Sequence, residues 1–591
     1  MLINGKIPVI VGVTGHRNIV EEDKPQIKAR VVESLKEIQL LCKSDGGDDT
    51  PVVMLNAFAQ GSDMLCAEVA FELGIDVYAI LPCEEERYIK SFDDETDKNK
   101  LSGYLARVKR KFIAPDIEKN KPWLKEKSNI DDESYEYRQL GIYMAEHSHI
   151  LIALWDGKEP KSSFGCGTVE VINFALEHKF LDKDHLFKPG TINDSAVVWI
   201  KSRRQGDGSE ADIRKKWLIS NLESSEESDS KYAVLDEPPQ FLIDIIKQTV
   251  KYNAGKVEFS DNSTKLWNKS DDLDEYRKNI DYHYAKADEL SYSKNQKMYN
   301  VFLKLIAFIG TAVACTFLIY DEASLPFMIF PCSISVGAII CLCYLGRKNA
   351  YLKTYVDYRA FAEALRIQFY TSMCLKEKEI ETNVCGLYSW AQKIDSVWID
   401  KAIRAITVIS QTEEIKVATS DVIETWIGKN ESPKGQLMYH SGKINYNKKQ
   451  AQKYQTCSRV FRCVAVVTYF VIFAFEIVAC ILKARGVAWF WEKDLIGSLS
   501  CRNVCAMVLG MMASGSLLFS SYWGKLSFDR KYQDNQKMCE FYNSAYCRWN
   551  EVKEYPDGEI AKFVKEIARE EIVENGIWYS YVKDNELEVN I

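Results

Sequence analysis

Four apolar segments in the second half of the chain constrain its fold more than any other feature. They are Val301–Tyr320, Leu325–Gly346, Cys463–Leu482 and Val504–Trp523. An α-helix rises about 1.5 Å per residue, so about twenty apolar residues cross roughly 30 Å of hydrocarbon. Core helices of soluble proteins are usually shorter and more often interrupted by charge. We therefore predict an all-α transmembrane region that consists of two helical hairpins.

The charges beside these segments predict their orientation. The linker DEAS of the first hairpin has no Lys or Arg, whereas Arg347 and Lys348 follow its second segment. The positive-inside rule places that linker outside and both flanks inside. The linker of the second hairpin carries several basic residues, so charge leaves its orientation open. An even number of spans keeps both termini together. We expect a multi-pass protein of the inner (plasma) membrane, with both termini cytoplasmic.

The cysteines and the N-terminus agree with a cytoplasmic location for the soluble parts. The 17 cysteines show no disulfide or zinc spacing, so we interpret them as reduced thiols. The first residues lack a charged leader with a long apolar core, so we expect no signal peptide. Net charge is −8, which argues against nucleic acid as a partner.

The N-terminal part predicts an α/β domain. Short β-branched apolar runs at 7–14, 51–59, 75–82, 149–157 and 195–200 alternate with helical patterns. This alternation is typical of a mostly parallel sheet with helices on both faces. The charged stretch 85–137 is expected to form helices and loops at the sheet edge. We place this domain at 1–203 and a linker at 204–258. Residues 204–238 are rich in Ser, Asp, Glu and Gly and are expected to be poorly ordered, whereas 240–300 are expected to be helical and amphipathic.

Three glycine-bearing turns follow strands of this domain. They are GVTGHR (12–17), GSD (61–63) and GCGTVE (165–170). In open α/β sheets, ligands bind beyond the carboxyl ends of the strands, where helix N-termini favour anions. One such turn is explained by tight strand-to-helix packing, but three favour a nucleotide or sugar-phosphate pocket. The candidate ligand residues in these turns are Gly12, Thr14, Gly15, His16, Arg17, Gly61, Ser62, Asp63, Gly165, Gly167, Thr168 and Glu170.

Two of these residues, and a third outside the turns, have alternative interpretations. His16 can contact phosphate or only cap its turn. Arg138, on the helix before the fourth strand, can bind phosphate or form a surface salt bridge. Glu170 can favour the helix dipole, bind ribose hydroxyls or act as a general acid/base. The chain has no GxxxxGK[ST] and no GxGxxG after the first strand, which excludes a P-loop ATPase and a standard NAD dehydrogenase. No catalytic residue, metal site or further cofactor is predicted.

The motif series GVTGHR, AQGSDMLCAEVA, ILP, LIALWDG and GCGTVEV resembles SLOG domains. These are Rossmann-like nucleotide-sensing domains related to LOG phosphoribohydrolases and to the N-terminal region of TRPM channels. LOG enzymes use a GGxGTxxE-type motif, whereas this chain has GCGTVE, and that change of register argues against hydrolysis. The resemblance implies that the domain senses a nucleotide-derived signal, such as a relative of ADP-ribose or cyclic ADP-ribose.

The two hairpins look like an internal repeat, since a similar polar segment precedes each and a long amphipathic helix follows each. The sequence YRAFAEALRIQFY after the first hairpin resembles SLATT modules, which are two-helix membrane effectors of bacterial conflict systems. The second copy, DRKYQDNQKMCEFY, lacks the Arg-x-x-x-Glu order. We assign the two modules to 259–425 and 426–591.

Together these features predict a ligand-gated membrane effector in bacterial antiphage defence. A nucleotide second messenger would drive a homo-oligomer to open a channel or disrupt the bilayer. Because a carboxylate in lipid is costly, Glu476 inside the third segment is expected to lie at a helix–helix or subunit interface and to influence gating, unless it is interfacial. The alternatives are a membrane-anchored nucleotide or NAD glycohydrolase that uses Glu170 and Arg138, and a membrane scaffold that binds no nucleotide.

Overall fold

A computed structural model describes most of the chain. It covers residues 5–118, 131–158, 167–177, 193–208, 210–221, 231–257, 259, 265–292, 304, 333, 337, 340, 344, 351–375, 384–387, 397–409, 417–431, 435–487, 489–492, 494–496, 499–526 and 528–584. These residues form an N-terminal mixed α/β region followed by a mostly helical region. They belong to two compact units. The first comprises Met1–Lys286, Phe361–Lys416 and Val564–Gly576, and the second comprises Ala287–Ala360, Val417–Phe563 and Ile577–Ile591.

The first unit is built on a sheet in the strand order β4-β3-β2-β1-β5-β6-β7-β8. The strands are β1 (Val9–Gly15), β2 (Val52–Asn56), β3 (Asp76–Leu81), β4 (Arg110–Ile113), β5 (Ile150–Trp155), β6 (Ala196–Lys201), β7 (Lys215–Ser220) and β8 (Tyr232–Leu235). Pairing is parallel from β4 to β6 and antiparallel for β7 and β8. The predicted α/β fold class is confirmed for this region.

Helices cover both faces of the sheet, because the central strands are apolar on both sides. The helices of the α/β region are α1 (Lys24–Leu41), α2 (Ser62–Glu72), α3 (Glu85–Lys90), α4 (Glu95–Leu105), α5 (Asp132–His147), α6 (Thr168–Glu177) and α7 (Gln240–Ala254). All residues of β2 and β5 are buried. One apolar core lies under α1 and α2, and another lies under α5 and α6.

The sheet extends further than the sequence predicted. The charged stretch 85–137 contributes the edge strand β4, which the expectation of helices and loops missed. The expectation of poor order at 204–238 is also wrong where β7 and β8 lie, whereas α7 is the helix expected after residue 240. These strands are short, and their charged ends hide the alternation that marks a strand, although Trp217 and Leu218 are buried.

The remaining described helices follow the sheet along the chain. They are α8 (Glu275–Glu289), α9 (Tyr351–Cys374), α10 (Val397–Ile409), α11 (Thr419–Ile427), α12 (Gln436–Ala484), α13 (Cys501–Leu526), α14 (Phe528–Val552) and α15 (Asp557–Asp584). A small hairpin of β9 (Asp494–Ile496) and β10 (Leu499–Ser500) lies between α12 and α13.

Helix α10 belongs to the first unit and packs on the amino-terminal edge of its sheet. The fully buried Lys401 ammonium donates to the Ser148 carbonyl oxygen at 2.9 Å. Arg404 pairs with Asp400 at 2.8 Å and with Glu146 at 3.5 Å. Buried charges need such partners, so these contacts fix α10 on the end of α5. A segment that follows the first predicted hairpin in sequence is thus an integral part of the α/β unit.

In the second unit, α12 presents one continuous stripe to α13 and α14. The stripe repeats at alternating steps of three and four residues, and its positions are Leu437, His440, Ile444, Asn447, Ala451, Tyr454, Ser458, Phe461, Ala465, Thr468, Ile472, Phe475, Ala479 and Leu482. From Ser458 to Leu482 every position that is not exposed belongs to it, apart from Glu476. This is the heptad spacing of a coiled coil. Helix α12 therefore packs along its 49 residues as one rod, roughly 73 Å long.

Small side chains bring α12 and α13 close together. The hydroxyl of Ser458 donates to the Ser516 carbonyl at 3.5 Å, and the Ser516 hydroxyl donates to the Ser458 carbonyl at 3.4 Å. A Cβ atom on Gly515 would lie 2.9 Å from the Phe461 ring. Small residues at such contacts are typical of helix pairs that cannot rely on water to drive their association.

Among the described residues, one helix, α12, is long and apolar enough to cross a membrane. It contains the predicted span Cys463–Leu482, and its side chains outside the stripe, such as Phe470 and Phe473, are exposed. The predicted span Val504–Trp523 lies within the helix α13. The predicted spans Val301–Tyr320 and Leu325–Gly346 lie outside the described residues, apart from five isolated helical positions.

Candidate functional site

The candidate site lies where the chain order of the sheet reverses. Strands β2, β3 and β4 extend the sheet on one side of β1, and β5 begins the other side. The loops after β1 and β5 therefore leave the sheet in opposite directions and open a crevice between them, which is where open α/β sheets bind ligands. The backbone N–H of His16, directly after β1, donates to the Leu154 carbonyl of β5 at 3.2 Å.

His16 is the centre of this crevice and is buried, with 7% of its surface exposed. Its Nε2 lies 3.2 Å from the Asp156 backbone nitrogen and 3.2 Å from the Asp156 carboxylate. Nδ1 lies 3.5 Å from the Thr168 hydroxyl at the start of α6. Burial lowers the pKa of His16, and the charge of Arg204 lowers it further. His16 is thus a neutral residue that joins β1, β5 and α6, and a cationic phosphate contact is not what the geometry provides.

The first two glycine turns pack directly against each other. The carbonyl of His16 accepts from the Ser62 hydroxyl at 2.7 Å and from the Ser62 N–H at 3.2 Å. A Cβ on Gly15 would lie 2.4 Å from the Ser62 side chain, and a Cβ on Gly61 would lie 2.1 Å from the Arg17 carbonyl oxygen. These glycines therefore make room for a neighbouring turn of the protein. Gly12 makes room for the Ser148 hydroxyl instead, farther inside the sheet, so it is not part of the crevice.

The N-terminus of α2 is less open to an anion than the sequence suggested. The Ser62 N–H donates to His16, and the Met64 N–H donates to the Ala59 carbonyl at 3.3 Å. These bonds use donors that a phosphate would need.

Asp63 is a buried carboxyl in this first turn of α2. It is 5% exposed, and within the described residues its carboxylate accepts one long hydrogen bond, 3.4 Å, from the Ala59 N–H. Burial raises its pKa to about 7, although the Ala59 hydrogen bond and the charge of Arg17 both lower it. Asp63 therefore changes its protonation near neutral pH, which is the property of a general acid or base or of a pH-dependent ligand contact.

The loop between β2 and α2 is strained. Phe58, which is fully buried, has a φ of +56°, a left-handed conformation that costs a side-chain-bearing residue about 1–2 kcal/mol. The Asn56 side chain holds it, because its oxygen accepts from the Phe58 N–H at 2.6 Å and its amide donates to the Asp63 carbonyl at 2.9 Å. Strain of this kind persists at sites where backbone geometry matters for function.

Arg204 pairs with the Asp156 carboxylate at 3.0 Å, and Arg17 is a second exposed cation of the crevice. Its guanidinium lies 5.2 Å from the centre of the Tyr137 ring, on α5. The guanidinium also shares a hydrogen bond with Tyr137, and the stacking limits the conformations of the exposed side chain. Arg17 is thus well placed to bind a phosphate or carboxylate that enters the crevice.

Arg138, next to Tyr137, has a structural partner. Its Nε and Nη2 atoms donate to the two oxygens of Glu118 at 2.8 and 2.9 Å. Glu118 is fully buried and also accepts from the Gln139 amide at 2.9 Å. Arg138 therefore neutralises a buried carboxylate, which differs from both the phosphate contact and the surface salt bridge that the sequence suggested.

The third turn contributes the N-terminus of α6. Gly165 lies outside the described residues, whereas Gly167 is exposed and Thr168 is buried beside His16. Among the residues that the structure describes, the N–H groups of Thr168 and Val169 have no acceptor. The Glu170 carboxylate folds back over this end, 3.1 Å from the position of a Cβ on Gly167. A carboxylate there favours the helix dipole and occupies part of the space that a phosphate would use.

The structure therefore brings together the carboxyl end of β1, the start of α2 and the start of α6, as the sequence predicted. Thr14 is the last but one residue of β1, and its side chain is buried. The sequence analysis missed Tyr137, Asp156 and Glu118. Asp156 could have been found, since it stands in LIALWDG directly after a strand. No sequence pattern indicates that Glu118 is buried and paired, because its partner Arg138 is 20 residues away.

Glu476 lies near the far end of the α12–α13 pair. Its carboxylate pairs with Arg502 Nε at 2.7 Å and accepts from the Trp491 indole N–H at 3.1 Å. Phe475 contacts the rings of Trp489 and Trp491, with centroids 5.3 and 4.9 Å apart. Tryptophans beside a charged pair are typical of a membrane–water interface. Glu476 is at a helix–helix contact, and its neighbours are those of an interfacial residue.

No protein-family profile matches this sequence, and no curated protein sequence is significantly similar to it.

Proposed function

We propose that this chain is a membrane-anchored sensor of a nucleotide-derived messenger, with a SLOG-like α/β domain and SLATT-like membrane modules. The observation that carries the proposal is the crevice at the reversal point of the sheet. It combines an exposed, stacked Arg17 with the N-terminal N–H groups of α6 and the Thr168 hydroxyl. This set of donors suits a phosphate, and the Tyr137 ring beside it offers a surface for a base or sugar.

The membrane part of the proposal rests on α12 and α13. Apolar side chains of α12 outside the stripe are exposed from Val460 to Ile481, a length that matches a bilayer, and α13 packs along this section. Aromatic and charged residues border it at the Glu476 end. With the first predicted hairpin, the chain would cross the inner membrane four times and keep the α/β domain cytoplasmic. In a homo-oligomer of four, a shift from 1:99 to 99:1 open would need about 1.4 kcal/mol of differential affinity per site.

The test of the sensor is ligand binding by the full chain in detergent. A thermal-shift screen against adenine nucleotides, ADP-ribose and cyclic ADP-ribose would find a ligand, and calorimetry would measure its affinity. Arg17→Ala should weaken binding about ten- to hundredfold, the usual value of a charge-assisted hydrogen bond. Arg107→Ala is the matched control, because Arg107 is also an exposed arginine stacked on a ring, that of Phe71 at 4.2 Å, outside the crevice.

If no nucleotide binds, or if both variants weaken binding equally, the crevice is not the nucleotide site. The effector step has its own test, in which liposomes that contain the full chain are assayed for leakage when the ligand is added. A ligand that binds without any leakage would support sensing and contradict channel opening or membrane disruption. In bacteria, the proposal predicts that antiphage protection is lost with Arg17→Ala.

A second candidate function is hydrolysis of a nucleotide or NAD at the N-glycosidic bond. The observation that favours it is Asp63, a buried carboxyl whose pKa is raised to about 7 beside Arg17. A carboxyl that titrates near neutral pH suits general acid/base chemistry. Incubation of the chain with NAD or nucleoside monophosphates separates the two functions, because only a hydrolase releases the free base. Asp63→Asn should abolish that release if hydrolysis occurs.

A further inference from the structure

The part of α12 that precedes its apolar section carries cations and no carboxylate. Between Gln436 and Arg462 the sequence has no Asp or Glu, although the whole chain has a net charge of −8. The cations of this stretch are Lys443, Lys448, Lys449, Lys453, Arg459 and Arg462, and all six are exposed. Within the part of the chain that the structure describes, none of them forms an ion pair. Such a cluster of unneutralised charge normally has an anionic partner.

The heptad stripe explains why these side chains point outward. Ser458 and Phe461 occupy the contact with α13, so the neighbouring Arg459 and Arg462 must lie off that contact. Their positions next to Cys463, the first residue of the apolar section, put them about 6 and 1.5 Å below it along the helix axis. Both values lie within one Debye length at physiological salt, about 8 Å.

We infer that Arg459 and Arg462 bind the phosphate groups of anionic phospholipids at the inner surface of the membrane. This inference rests on the proposed crossing of the membrane by α12. Arginine suits the task because its guanidinium binds phosphate with two donors and stays charged. The cations farther along the rod differ in one respect. Lys448 and Lys443 lie roughly 22 and 30 Å from Cys463, too far for direct contact with a headgroup.

This difference in height supplies a matched pair of variants. Arg459→Gln/Arg462→Gln removes two charges at the headgroup level, and Lys443→Gln/Lys448→Gln removes two charges from the same helix far below it. All four residues are exposed and lie off the stripe, so neither change should unfold the rod. Each charge near an anionic surface changes the binding constant about fivefold. Loss of both arginines should therefore lower the binding constant for anionic lipid about thirtyfold, and loss of both lysines should lower it far less.

The experiment reconstitutes the full chain in nanodiscs of equal parts phosphatidylglycerol and phosphatidylcholine, and counts the lipids that stay bound by native mass spectrometry. We expect the wild type to retain phosphatidylglycerol preferentially, and less so when the sodium chloride concentration is raised. The preference should fall at least tenfold in Arg459→Gln/Arg462→Gln and stay within about threefold in Lys443→Gln/Lys448→Gln.

The outcomes that overturn the inference are distinct from those that overturn the membrane proposal. If alkaline carbonate extracts the full chain from bacterial membranes, the chain does not cross them and both ideas fail. If the chain resists extraction but retains the two lipids equally, only the phosphate contact fails. Equal losses in the two double variants would also overturn it, because they would assign the preference to the total charge of the rod.

Discussion

The packing of two glycine turns against each other can be tested with Gly61→Ala. Gly61 has a φ of +77°, and its Cβ would lie 2.1 Å from the Arg17 carbonyl oxygen and 2.7 Å from the Arg17 carbonyl carbon. Both atoms belong to the backbone, so no side-chain rotation relieves the clash. Gly74→Ala is the control, because Gly74 has a φ of +69° and no atom within 4 Å of a Cβ.

Gly61→Ala and Gly74→Ala should both lower the free energy of unfolding, but Gly61→Ala should lower it more. Both place alanine at a positive φ, which costs about 1–2 kcal/mol in the left-handed α region. Gly61 has a ψ of −106°, outside that region, so the strain there is at least as large. Gly61→Ala must also move the turn at His16 and Arg17 away from α2. That movement breaks the two hydrogen bonds from Ser62 to the His16 carbonyl, at 2.7 and 3.2 Å, in a region where Ser62 is fully buried. Each lost bond costs about 1 kcal/mol or more, so Gly61→Ala should cost roughly 3–5 kcal/mol.

Hydrogen exchange of the full chain in detergent, read by mass spectrometry, measures the local free energy of opening. Peptides from β1 and α2 should lose protection in Gly61→Ala by a factor on the order of 100 more than in Gly74→Ala. Peptides of α12 serve as an internal reference. Equal loss of protection in the two variants would mean that the positive φ alone destabilises the turn and that the close approach of the two turns has no effect.

Three further predictions concern charged groups. Arg138→Ala leaves the buried Glu118 carboxylate without its arginine and should destabilise the first unit by about 3–5 kcal/mol. The double variant Arg138→Met/Glu118→Met should recover most of this lost stability, as measured in a double-mutant cycle of thermal unfolding. Because the pKa of Asp63 is raised to about 7 from an ordinary value near 4, the folded state binds more protons than the unfolded state between these pH values, and stability falls as pH rises through that range. The fall in the free energy of unfolding amounts to at most roughly 4 kcal/mol, and Asp63→Asn should remove it. An unchanged dependence of stability on pH in this variant would contradict the raised pKa of Asp63. Glu476→Arg should lower the thermal stability of the chain in detergent by less than about 1 kcal/mol, because Arg502 is 57% exposed, and adding Arg502→Glu should restore it.

Much of the α/β region could be predicted because its signals are local. The short apolar run IPVIVGVT, residues 7–14, predicts a strand, and the observed strand β1, Val9–Gly15, ends one residue after the run does. The two antiparallel strands after residue 203 escaped prediction because they are short and flanked by charged residues, although β7 pairs with β6 and β8 with β7, their neighbours in the chain. The apolar pattern alone predicted α12 and α13. The stripe by which α12 contacts both α13 and α14 repeats every seven residues and includes polar residues such as His440 and Asn447, which no hydropathy criterion selects.

The same distinction between local and tertiary features applies to the candidate site. The sequence by itself determined which residues stand at the carboxyl ends of the strands, because strand and turn propensities act over a few neighbouring residues. Only the tertiary structure decided what those residues do. Gly15 and Gly61 accommodate a second turn. Burial and the charge of Arg204 lower the pKa of His16 although Asp156 lies beside it, and Arg138 pairs with Glu118. Burial and the approach of distant groups set the charge and the partners of a side chain, and neither can be read from its neighbours in the sequence.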